Sequence, residues 1–97
     1  MTYKEFIDSV SRAQPPAGIS DLLLALWHEA KDDWETAHNI VQQKEGTQKY
    51  DRIHAYLHRV EGDQWNAGYW YRRAGESPFK GSLKEEWDEL VKRYLVS

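Results

Sequence analysis

The sequence contains no cysteine, which removes disulfide frameworks, thiolate metal sites and thiol nucleophiles at once and fits a reducing compartment. Its longest uninterrupted apolar run, Leu22 to Trp27, is far short of the roughly 20 residues that cross a bilayer. The opening MTYKEFIDSV has neither a basic n-region nor an apolar h-region, so no signal peptide is expected and a cytoplasmic location is. The six glycines are scattered, which leaves no glycine-rich loop to cradle a phosphate. No Gly-x-Ser-x-Gly elbow is present. His28-Glu29 begins an H-E-x-x-H motif, but Asp32 stands where its second histidine is required. No catalytic residue is therefore assigned. A net charge of −3 argues against nucleic acid as a partner, and nothing in the pattern calls for a membrane.

What the chain does have is aromatic surface. Five Trp and six Tyr in 97 residues allow a small single domain to build a core from few side chains, because each ring removes a large area from water. Charge is unevenly divided. Met1 to Gly46 carries four basic and eight acidic residues, whereas Thr47 to Ser97 carries nine and eight, so the second half is slightly positive.

Every strong local signal is helical, and no run of strict alternation suggests a strand pair. Thr2-x-x-Glu5 and Ser82-x-x-Glu85 are capping boxes. The first opens a helix carrying Phe6, Ile7 and Val10 that Pro15-Pro16 should stop; the second opens one with Leu83, Trp87, Leu90, Val91, Tyr94 and Leu95 at spacings of three and four. Between them, Ser20 caps a helix to about Lys31, and Asp32-x-x-Glu35 opens another to about Lys44. A further helix runs from about Lys49 to Glu61, and Asp63 caps the next, to Ala74. Gly62 suits the left-handed position between the last two. The expected class is all-α, with six helices in one domain spanning residues 1–97.

The two middle helix pairs align without a gap. Ala25, His28, Asp33 and Ala37 recur as Ala55, His58, Asp63 and Ala67. Small residues facing each other across an elbow let two helices approach to the close end of the usual range, roughly 8–10 Å. In the first unit the spacing reads Asp21-x2-Leu24-Ala25-x2-His28 and then Ala37-x3-Val41. In the second it reads Asp51-x2-His54-Ala55-x2-His58 and then Ala67-x3-Tyr71, with Ala74 beyond. Over roughly residues 20–78 this resembles the tetratricopeptide (TPR) repeat and its Sel1-like relatives, with Asp for the leading aromatic and His for the usual Tyr. The resemblance implies stacked helical hairpins, two repeat units closed by capping helices at both ends. It also implies a role as a protein- or peptide-binding module, with a groove on the first helix of each unit. Carried over by spacing, that groove presents Leu22, Leu26 and Glu29 from one unit and Arg52, Tyr56 and Arg59 from the other. Two arginines flanking a tyrosine can clamp a carboxylate, so an acidic segment is the expected partner class.

A second reading rests on the histidines. His54 and His58 are four apart on one helix and share a face, with Asp51 three residues before His54. Glu35-x-x-His38 lies on the preceding helix. Two Glu-x-x-His motifs with further carboxylates can hold a di-iron centre, but one motif here has Asp for Glu and only Glu29 is an obvious extra carboxylate. A single divalent metal such as zinc, held by His28, His38, His54 and His58 or a subset, needs less. Failing that, the chain binds no cofactor and the rings are packing residues. Trp65 and Tyr69, four apart, lie on a flank free for packing or self-association, so a monomer or a weak homodimer is expected.

Overall fold

The computed structural model describes residues 1–96. Six helices are present: α1 (Tyr3–Ser9), α2 (Asp21–Ala30), α3 (Trp34–Gln42), α4 (Gln48–Val60), α5 (Gln64–Arg73) and α6 (Leu83–Leu95), with no strand among the described residues. Both capping boxes form, Thr2 with Glu5 and Ser82 with Glu85. Helix α1 ends well before the proline pair. Ser9 and Ser11 hydroxyls donate to the carbonyls of Phe6 and Asp8, and the Lys31 ammonium takes the carbonyls of Val10 and Arg12 at 2.8 and 2.9 Å. With these carbonyls bonded to side chains, a further helical turn is not needed to satisfy them.

The start of α3 also differs from the expectation by one residue. Asp32 takes a left-handed φ of 62°, and Asp33 is the cap, accepting from the Thr36 amide at 3.2 Å. The second elbow has the same construction. Gly62 takes φ 83°, and Asp63 accepts from the Asn66 amide at 3.1 Å. In each, the capping aspartate's own amide reaches back to a histidine carbonyl: Asp33 to His28 and Asp63 to His58, both at 2.9 Å. This is the bonding pattern of a helix closed by a left-handed residue.

The elbows fold α2 onto α3 and α4 onto α5, and α3 packs on α4, so the two hairpins stand side by side. The four repeated alanines, Ala25, Ala37, Ala55 and Ala67, are all buried, as close helix approach requires. Helix α6 lies against both α2 and α4, and α1 packs on α6. The terminal helices thus meet on the same side of the stack. Phe6, Leu26, Ile53, Leu57, Trp87 and Leu90 form the centre of the core, while Trp70 and Tyr71 close a smaller cluster inside the second hairpin. The buried indoles find acceptors: Trp27 Nε1 donates to the Ser9 carbonyl and Trp87 Nε1 to that of Leu26, which removes the penalty of burying the N–H. No helix among the described residues is long and apolar enough to cross a membrane.

Candidate metal centre

The seam between the hairpins is where α3 meets α4. His54 and His58 stand one turn apart on α4, and His38 reaches them from the middle of α3. One nitrogen from each of these three rings lies within 4.8 Å of the others, and the Nε2 atoms of His38 and His54 are 2.9 Å apart. The His54 and His58 rings are stacked at 4.9 Å, and His38 meets both edge-on. Two tryptophans brace the group. Trp34 stacks on His38 at 4.7 Å while its Nε1 donates to the Leu57 carbonyl at 2.6 Å. Trp70 lies flat against His54 at 3.8 Å.

Burial favours the neutral form of His54 and His38. Burial, reinforced by the neighbouring His38 and His58, pushes the His54 imidazole down to about 3. His38, half-buried, is also lowered, first by burial and then by His58, against a partial offset from Glu61 and Glu45. A neutral imidazole keeps a lone pair for a metal. His54 is 2% exposed, yet its Nδ1 has no hydrogen-bond partner among the described residues. Buried side-chain nitrogens are seldom left in this state. The Nδ1 of His58 lies 2.7 Å from a Glu61 carboxylate oxygen. When Nδ1–H donates there, Nε2 carries the lone pair, and the carboxylate fixes the ring in the way that partners of metal-bound histidines do.

The fourth histidine is elsewhere. His28 packs edge-on to Trp27 and lies 3.9 Å from Asp33. The carboxylates that a di-iron centre would need are also apart from the seam. Asp51 is buried and accepts from the Gly46 amide, Glu35 is exposed, and Glu29 accepts from the Tyr56 hydroxyl. The reason for His28's separation is topological. His58 sits on a helix that has an upstream hairpin beside it to supply His38, whereas α2 has none.

The groove expected on α2 and α4 is not open, because α6 lies across it. Leu22, Leu26, Arg52 and Tyr56 are all buried, Arg52 to 1% exposure. The arginines are already engaged by Glu86, a fully buried residue of α6. Arg52 and Arg59 each reach its carboxylate at 2.7 Å, the Tyr71 hydroxyl donates to it, and Arg59 also bonds the Gly81 carbonyl. Arg52 further pairs with Glu76 at 3.0 Å, which Arg93 holds from α6. Sequence reading overlooked Glu86. Its signal was a carboxylate in register with Leu83 and Leu90, inside the apolar stripe of α6.

The aromatic flank of α5 divides. Trp70 and Tyr71 are core, whereas Trp65 is 75% exposed and stacks loosely on Tyr69 at 6.3 Å. Scanning the chain against protein-family models gives no match, and neither the curated proteins nor the solved structures include a significant match.

Proposed function

We propose that this is a metal-binding helical protein whose ligands are the imidazoles of His38, His54 and His58. The observation that carries the reading is their convergence from two helices, with nitrogens within 4.8 Å. Two imidazoles on one tetrahedral zinc, at Zn–N of about 2.0–2.1 Å, have nitrogens roughly 3.3 Å apart. The 2.9 Å between His38 and His54 is within a small ring adjustment of that value. Three imidazoles without thiolate suit zinc, copper or nickel, and His38 is the partly exposed member of the three. This reading is preferred to capture of an acidic peptide, because Arg52 and Arg59 already satisfy Glu86 beneath α6.

Calorimetric titration of untagged protein with Zn²⁺ and Cu²⁺ tests it. One ion per chain is expected. His38→Ala, at the accessible edge, should weaken binding by more than the roughly 10–100-fold that follows loss of an outer hydrogen-bonding partner. Glu61→Gln should weaken it by about tenfold, and His28→Ala should leave it unchanged. Absence of stoichiometric binding, or equal affinity in His38→Ala, would reject the site.

A further inference from the structure

On the other side of α4 from the histidines, a cavity of about 440 Å³ opens among α1, α2, α4 and α6. Its volume is in the range of small-molecule sites, about 300–1,000 Å³. Ile7, Val10, Ala30 and Trp87 form apolar walls, and Glu29 with Tyr56 forms a polar end. Such a combination of an apolar body and few directed polar groups is what positions a ligand.

Glu29 has a different environment from the molecule's other buried or half-buried glutamates. Glu86 holds Arg52 and Arg59, and Glu76 holds Arg52 and Arg93. Glu29 accepts one hydrogen bond, from the Tyr56 hydroxyl to Oε1 at 2.6 Å. Among the described residues no cation pairs with it, and Oε2 has no partner. The nearby cations are committed. Lys84, at the cavity rim, lies 3.3 Å from Asp88, Lys31 bonds the carbonyls of Val10 and Arg12, and Arg59 is on Glu86. Burial raises the Glu29 carboxyl, with a further rise from Asp32 and a partial offset from the Tyr56 bond. A half-buried carboxylate in this state gains from a cation brought to it.

We propose that this cavity binds a small organic cation, a primary ammonium on an apolar body. The ammonium donates to Glu29 Oε2, Tyr56 holds Oε1 in place, and the body lies against Ile7, Val10, Ala30 and Trp87. The site shares no residue with the histidine centre and stands or falls separately from it.

The test is an NMR titration of the full chain, with chelator present, following the Trp87 indole N–H. The probes are phenethylammonium, its neutral isostere phenethyl alcohol, and phenylacetate. Phenethylammonium should saturate the site at millimolar concentration and bind about tenfold or more tightly than the alcohol, as expected for a hydrogen bond to a charged group. Phenylacetate should not bind. Glu29→Gln, checked for an unchanged fold by thermal unfolding, should bring the ammonium down to the affinity of the alcohol. Lys84→Ala should leave the preference intact. Equal affinity for ammonium and alcohol, no saturation by the ammonium, or an unaltered preference in Glu29→Gln would overturn the proposal. So would an apolar lysine-containing peptide that shifts Trp87 where the free amine does not, since the site would then belong to a protein partner.

Discussion

At matching positions thirty residues apart, hairpin α2–α3 sets Leu22, Leu26 and Glu29 beneath α6, and hairpin α4–α5 sets Arg52, Tyr56 and Arg59 there. The frames are alike, down to the elbow hydrogen bonds and the four buried alanines. The chemistry is not. Helix α6 lies on the first hairpin through apolar contact, with Leu26 entirely buried and its carbonyl accepting from Trp87. On the second hairpin it is held through Glu86 and two guanidinium groups. A repeated backbone therefore fixes where a side chain stands but leaves open whether the contact is oil or ion pair.

Breaking each contact separately sharpens that contrast and should give the largest effects. Glu86→Ala takes the carboxylate from buried Arg52 and half-buried Arg59 and should remove about 3–5 kcal/mol in urea unfolding. Leu26→Ala deletes buried methyl groups and should remove about 2–5 kcal/mol, depending on how far the site collapses. The two differ in reversibility. Arg52→Leu combined with Glu86→Leu brings the second hairpin nearer the apolar solution of the first and should recover part of the Glu86→Ala loss, the remainder being Arg59 and the Tyr71 hydroxyl left without their acceptor. A double variant no more stable than Glu86→Ala would show that the ion network does more than join two surfaces.

The two hairpins also contribute carboxylates of opposite character, which pH separates. For Glu76, at the end of the second hairpin, burial alone would raise the carboxyl, but Arg93 and Arg52 more than reverse this and hold it below its ordinary range. Its stabilising contribution is full above the unfolded-state carboxylate range and is lost as pH falls through its lowered folded value. For Glu29 the sign is reversed. Its folded value is raised, so relative stability is full below the ordinary carboxylate range and declines as pH climbs through the folded value. Glu29→Gln should therefore stabilise the ligand-free protein at neutral pH and less so in acid. Glu76→Gln should destabilise it at neutral pH and less so in acid. Parallel thermal scans from acid to neutral pH check both; changes of the same sign would refute the contrast.

These contrasts also mark what could be read from the chain. The two capping boxes, the second elbow and the alanines were legible because each depends on residues within one turn or one hairpin, whereas at the first elbow Asp32 and Asp33 compete for the cap and the left-handed position went to Asp32. Trp70 and Tyr71 were legible as core by their register with Ala67 and Ala74. The position of α6 was not, because its stripe is equally suited to closing an end or crossing a face, and only Glu86 distinguishes them. That is why Arg52 and Tyr56, exposed in expectation, are buried. His54 and His58 were a pair by spacing alone, whereas the choice of His38 over His28 depends on which helix has a neighbour, a fact of topology.

The smallest expected effects concern the elbows, where like geometry is built from unlike residues. Gly62, at φ 83°, has open space where a Cβ would stand, so Gly62→Ala meets no clash and should lose about 1 kcal/mol from backbone conformation alone. Asp32 at φ 62° already bears part of that strain, reduced because a short polar side chain tolerates the left-handed region. Asp32→Gly relieves the strain but frees the unfolded chain, so the net gain should be about 0.5 kcal/mol or less. The same substitution removes a negative neighbour of Glu29 and should lower the Glu29 carboxyl toward its ordinary range, an effect absent from Gly62→Ala. Urea unfolding measures the first effect and carbon-detected titration of Glu29 the second. If Asp32→Gly lost stability, Asp32 would be making a contribution that Gly62 does not, and the two elbows would be alike in hydrogen bonding but not in energy.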